Sequence, residues 1–166
     1  MKKVFHNVTF DELKIGQSAK IEKKITQDDI ELFAGVSGDV NPAHLDQNYA
    51  DHSIFHGVIA HGMLSGALIS AVLGTKLPGP GTIYLNQSLQ FKAPVRVGDT
   101  ITALVTVASK IAKKKIVKLE CKVTNQKQKI VVKGFAKVMA PIKKIVTKKP
   151  DTPNVIIADQ KHLEID

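Results

Sequence analysis

Regular patterning begins at Ser18, where polar and apolar residues largely alternate as far as Ile25, the period of a strand with one buried face. Thr26-Gln27-Asp28-Asp29 then offers a hydroxyl to cap free amides and two acids for the positive end of a helix. Ile30, Phe33 and Ala34 give that helix its apolar stripe, and the glycines and serine between Gly35 and Gly38 end it. Pro42 forces Asn41 out of helical geometry, so a structured loop is expected, followed by one helical turn from Gln47 to His52. From His61 to Leu73 the residues are apolar or small nearly all round, which predicts a buried helix capped at Gly74. The period then returns to two. Thr82 to Phe91, Thr100 to Lys110, Lys115 to Asn125 and Ile130 to Met139 are rich in β-branched residues and predict four strands joined by short polar connections.

One long buried helix followed by four antiparallel strands, with an earlier strand free to join them, predicts an α+β fold: an antiparallel sheet wrapped around a long central helix. Residues 1–141 are expected to form the domain. Residues 142–166 hold two further prolines, change from basic to acidic and lack a long period, so they are expected to lie on the surface or to be disordered. Asn154 to Ala158 could add an edge strand.

At 166 residues and 43% hydrophobic content the chain is long enough for a core without disulfides or structural metals. No run approaches the roughly 20 apolar residues of a membrane span, and the first residues lack a secretory pattern, so a cytoplasmic protein without membrane association is expected. The single cysteine, Cys121, sits among Val117, Leu119 and Val123 on an alternating run and reads as packing. The net charge of +9 is uneven: residues 1–60 carry six lysines against nine acids, whereas residues 111–150 carry thirteen lysines and only Glu120. Such lysines suit a solvated strand face or a landing surface for phosphates or an acidic carrier. Nucleic acid is disfavoured as a partner by 5% aromatic content and the lack of tryptophan.

The chemically dense stretch is Gly38-Asp39-Val40-Asn41-Pro42-Ala43-His44-Leu45-Asp46, ahead of Ala60-His61-Gly62-Met63. Adding water to a conjugated thioester needs a base, an acid for the α-carbon and a donor for the developing oxyanion. Asp39 and His44 offer the first two, and the Gly62 amide at a helix start offers the third. The same residue types also make an ordinary turn with a hydrogen-bonded loop histidine, so the residues alone leave both readings open.

These residues resemble the signature of the MaoC-like hydratases, the R-specific enoyl-CoA hydratases of the hydratase 2 group: a Gly-Asp-x-Asn-Pro-x-His run followed by Ala/Val-His-Gly-Met. The resemblance continues through Leu77-Pro78-Gly79-Pro80-Gly81-Thr82-Ile83-Tyr84-Leu85, Phe91-Lys92-Ala93-Pro94-Val95 and Val97-Gly98-Asp99, covering about residues 15 to 141. It implies a hot dog fold, a homodimer, and hydration of trans-2-enoyl-CoA to the R-3-hydroxyacyl thioester with no metal or redox cofactor. Carried over by position, Asp39 and His44 hold the water and move its proton, Gly62 polarises the thioester carbonyl, and Asn41 supports the loop. Gly66, Ser70 and Leu73 fall near the Gly62 face of the helix and are candidates for lining an acyl tunnel, although helix-on-sheet packing asks for the same small residues.

His44, His52, His56 and His61, with Asp39, Asp46 and Asp51, are potential metal ligands, but no established zinc spacing is present and no metal is expected. His61 is a candidate either for orienting the active loop or for capping the helix. Three other functions stay in view: a dehydratase acting on substrates carried by acyl carrier protein, a thioesterase, and a noncatalytic acyl-thioester binding module.

Overall fold

In the computed structural model, which describes residues 4–157, the Thr26 hydroxyl accepts from the Asp29 amide at 3.2 Å while the Asp29 carboxylate accepts from the Thr26 amide at 3.0 Å. This reciprocal cap opens the first helix as expected. In chain order the elements are β1 (Val4–His6), β2 (Ser18–Lys24), α1 (Gln27–Ser37), α2 (Pro42–Leu45), α3 (Gln47–His52), α4 (Gly62–Thr75), β3 (Ile83–Phe91), β4 (Thr100–Ile111), β5 (Ile116–Thr124), β6 (Ile130–Met139) and β7 (Val146–Lys148). The four later strands and the early strand all form within a residue or two of their expected bounds.

Five strands make one antiparallel sheet in the order β2-β4-β5-β6-β3, with β4, β5 and β6 as a meander. The alternation along β4 and β5 turns Ile101, Ala103, Val105 and Val107, and Val117, Leu119, Cys121 and Val123, to one face. Onto that face α4 packs Leu64, Ile69, Val72 and Leu73, so the sheet curls around the central helix as the α+β, hot dog expectation requires. On the outward face Lys118 stands directly across from Lys137, and Lys122 from Lys133. Between these pairs the Lys118 ammonium lies 4.1 Å above the centre of the Phe135 ring.

Three features depart from the sequence reading. The expected loop after Asn41 holds a short helix, α2, because Pro42 suits a first helical position and the Asn41 side chain caps the Ala43 amide at 3.0 Å. Gly74 does not end α4: the helix runs on to Thr75, and the Lys76 and Leu77 amides both close onto the Val72 carbonyl, at 2.9 and 3.0 Å. The third is a second, two-stranded sheet pairing β1 with β7. It is secured by Asn7, which is buried and bonds both the Lys143 carbonyl and the Ile145 amide at 2.9 Å. Beside it the Thr9 amide, the Lys144 ammonium and the Thr9 hydroxyl hold the Glu12 carboxyl far below its ordinary range, at about 2. Residues 154–157 carry no strand; Ala158 and the rest of the tail lie outside the described residues.

At Gly134, β6 leaves no room for a side chain against β3. A Cβ built there would collide with the carbonyl oxygen of Ser88 on the neighbouring strand, a backbone atom with no side-chain freedom to move aside. Gly134→Ala is therefore expected to destabilise the fold by about 3 kcal/mol, at the upper end for overpacking. A urea midpoint equal to that of the parent protein would show that β3 yields.

Candidate active site

Gly38 adopts the left-handed conformation at the end of α1, with φ of 74° and its amide bonded to the Ala34 carbonyl at 2.8 Å. The chain reverses there and presents Asp39. One Asp39 carboxylate oxygen accepts from the Asn41 amide at 3.3 Å, so Asn41 both braces this turn and caps the short helix that follows. That helix carries His44, whose Nδ1 lies 2.8 Å from the Ile59 carbonyl. A carbonyl can only accept, so Nδ1 holds the hydrogen and Nε2 keeps a lone pair for chemistry.

His61 is 2% exposed, and its Nε2 lies 2.9 Å from the main-chain carbonyl of Asp39. Its ring rests on that of His44, with centroids 3.8 Å apart, and on Phe33 at 5.0 Å. An Asp39 carboxylate oxygen and one ring nitrogen each from His44 and His61 all lie within 4.8 Å of one another. A carboxylate and two imidazoles are also donors that a transition metal accepts, but each imidazole already commits one nitrogen to a carbonyl.

Gly62 opens the 14-residue α4, and helix geometry leaves its amide without an intrahelical acceptor. The Phe91 ring lies against this point: a Cβ on Gly62 would stand 2.8 Å from it. A cavity of about 320 Å³ opens here, lined by His44, His61 and Gly62 on its polar side and by Phe55, Phe91 and Val95 among its apolar walls. Two imidazoles and a helix-terminal amide thus border one largely apolar cavity; Asp39 is not among its lining residues and stands beside it, within 4.8 Å of both rings.

The predicted residues separate into two groups. Asp39 lies within 4.8 Å of His44, His44 and Gly62 line one cavity, and Asn41 bonds Asp39 and Ala43 within the turn. Gly66 and Leu73 are buried, whereas Ser70 is on the exposed side of α4 with Met63, Ala67 and Gly74, and none of Gly66, Ser70 and Leu73 lines the cavity beside Gly62. His52 bonds its own helix at Asn48 and is exposed, away from the cluster. Cys121 is buried, and burial pushes its thiol up to about 11, as suits a packing residue. Sequence reasoning did not find the Ile59 carbonyl that orients His44 or the Phe91 ring over Gly62, because both contacts depend on chain crossings that no local pattern encodes.

Comparison with known proteins gives a consistent picture. The family model described as MaoC like domain matches residues 11–129. An (R)-specific enoyl-CoA hydratase of Rhodospirillum rubrum is 55% identical over 134 residues, 80% of this chain and 91% of the relative. The unliganded R-hydratase PhaJ1 from Pseudomonas aeruginosa superposes with a TM-score of 0.89 at 46% identity, covering 94% of this chain and all of that one. An (R)-hydratase from A. caviae described as involved in PHA biosynthesis gives a TM-score of 0.76 at 43% identity over 78% of this chain and 98% of its own.

Proposed function

Because the chain belongs to the MaoC-like domain family, we propose that it is an (R)-specific hydro-lyase, adding water to trans-2-enoyl-CoA to give the (R)-3-hydroxyacyl thioester and catalysing the reverse dehydration. The observation that carries this reading is the approach of Asp39 to His44 within 4.8 Å, where His44 also shares a cavity with Gly62. A water between the two groups donates its hydrogens to the Asp39 carboxylate and to Nε2 of His44, leaving an oxygen lone pair for the β-carbon. As the C–O bond forms, negative charge moves onto the thioester oxygen, where the Gly62 N–H and the α4 dipole stabilise it. The proton taken from water returns to the α-carbon from the same face, so H and OH add syn and no cofactor enters the reaction.

The acyl chain is proposed to extend from Gly62 along α4, past Gly66 and Ser70 towards Leu73, although within one chain none of the three lines the cavity. Ser70 reaches it only if a second surface covers the exposed side of the helix. We assign that surface to a second copy of the chain, because the edge strand β3 also exposes Ile83, Tyr84, Leu85 and Phe91. The working form is then a homodimer. The absence of a long apolar helix among the described residues suits a cytoplasmic role. Supplying hydroxyacyl units for polyester storage is one use of the product, by analogy with the A. caviae enzyme. The lysines of residues 111–150 favour a second substrate form, an acyl group on an acidic carrier protein.

The reading is tested by loss of enoyl absorbance with crotonyl-CoA and by the handedness of the product. Asp39→Asn and His44→Ala are each expected to lower kcat about 10²–10⁴-fold with the fold intact; near-normal turnover in either ends the assignment. Crotonyl groups on CoA and on carrier protein, compared at equal concentration, decide the carrier: a higher kcat/KM on the protein is the outcome expected if the lysines dock it. Sedimentation should give twice the chain mass, and Ser70→Phe should shorten the longest acyl chain accepted. An unchanged octenoyl-to-crotonyl rate ratio would remove that helix face from the tunnel.

A further inference from the structure

His61 occupies the N-cap position of α4 but makes no side-chain capping bond there. Its side chain turns instead to the catalytic loop, where Nε2 meets the Asp39 carbonyl at 2.9 Å and the ring face meets His44 at 3.8 Å between centroids. Its other nitrogen, Nδ1, is buried and has no hydrogen-bond partner among the described residues.

That combination is informative. A residue selected only to fill the slot between Phe33 and His44 needs a flat ring and no polar atoms; phenylalanine would serve, without burying an unpaired nitrogen. The buried Nδ1 is a standing penalty, and the only polar contact set against it is the bond from Nε2 to Asp39. A hydrogen on Nδ1 would be a buried donor with no acceptor, so the ring holds its hydrogen at Nε2, where the carbonyl can receive it. Asp39 itself is exposed, follows a left-handed glycine, and has only a 3.3 Å bond from Asn41 and a 3.2 Å bond from its amide to Ser37 in its own turn. The His61 bond, across 22 residues of chain, ties Asp39 to the helix that bears Gly62.

We propose that His61 is a positioning residue for the hydration reaction: the Nε2–H tether to the Asp39 carbonyl sets where the Asp39 carboxylate stands relative to His44 and to the Gly62 amide. The proposal rests on the hydratase reading given above. His61 borders the cavity, and the role proposed for it is exerted through Asp39 and not on the substrate. Losing the tether leaves binding of the thioester intact and lets the carboxylate drift from its reacting position, a displacement of the kind that lowers turnover by up to about 100-fold.

Two substitutions separate the tether from the packing. His61→Phe keeps the ring between Phe33 and His44 and removes the donor. His61→Gln places an amide N–H near the position of Nε2 and removes the ring. With crotonyl-CoA, His61→Phe is expected to lower kcat about 30-fold or more, leave KM within about twofold, and leave the melting temperature equal or higher, since the unpaired Nδ1 is gone. His61→Gln is expected to recover kcat to within about fivefold of the parent enzyme. A purely structural role gives the opposite signature, a lower melting temperature with kcat per folded molecule unchanged, and that result overturns the proposal. So does a loss confined to KM, or a loss in His61→Gln as large as that in His61→Phe. Imidazole ¹⁵N shifts of the parent protein give a readout independent of turnover and of variant folding: the hydrogen of His61 is expected on Nε2, and finding it on Nδ1 overturns the tether. A parent protein inactive on every enoyl thioester would defeat the hydratase reading instead, while the ¹⁵N result would still decide the tether.

Discussion

Two imidazoles packed at a tilt join the turn at residues 39–44 to the start of the central helix. His44 belongs to a four-residue helix that cannot hold itself together, and His61 to the entrance of the most deeply buried helix in the molecule. Their packing, with one nitrogen of each ring bonded to a carbonyl from the other segment, ties an exposed turn to the start of the central helix. The Ile59 carbonyl orients His44, and the Asp39 carbonyl receives His61, so the bonds run both ways between residues 39–44 and 59–61. This junction, together with the bonds from the Ile59 amide to the Ala43 carbonyl and from the Ala60 amide to the Val95 carbonyl, holds the turn against the cavity.

The rest of the architecture supports that frame. The central helix is held by a sheet whose buried face is almost wholly aliphatic, and its first turn is fixed by Phe91 at the end of β3. The close passage of β6 behind β3 at Gly134 fixes β3 in turn. The polar cluster thus sits at one end of an apolar stack, which suits the proposed hydration reaction.

Much of this is legible in the amino-acid order because it is written locally. Thr26 and Asp29 are three residues apart and bond each other whatever the remainder of the chain does, and the alternation in β4 and β5 survives in the strands as read. The β1–β7 pair was not legible, since three-residue strands carry no period and their anchor, Asn7, finds Lys143 across 136 positions. Gly74 misled because glycine permits a left-handed cap without requiring one, and the Val72 carbonyl was free to take the next amides instead. In the site, Asp39, Asn41 and His44 share one turn and could be read together, while the pairing of this turn with Gly62 was expected from the family resemblance and not from spacing; of the three, His44 lines the cavity with Gly62. Ser70 lies about 80° around the helix from Gly62. At that angle pattern cannot assign a residue to core or surface, and packing puts it outside.

The paired lysines on the outer face of β5 and β6 carry a consequence of their own. Lys118 with Lys137 and Lys122 with Lys133 hold like charges directly across neighbouring strands, a placement that loosens a ladder rather than tightening it. Counterions gather over such a surface, and at physiological ionic strength their screening length of about 8 Å exceeds the spacing between adjacent strands. The cohesion of the sheet is therefore partly a property of the surrounding electrolyte: dilution of salt works against it, and any polyanion laid across those strands works in its favour.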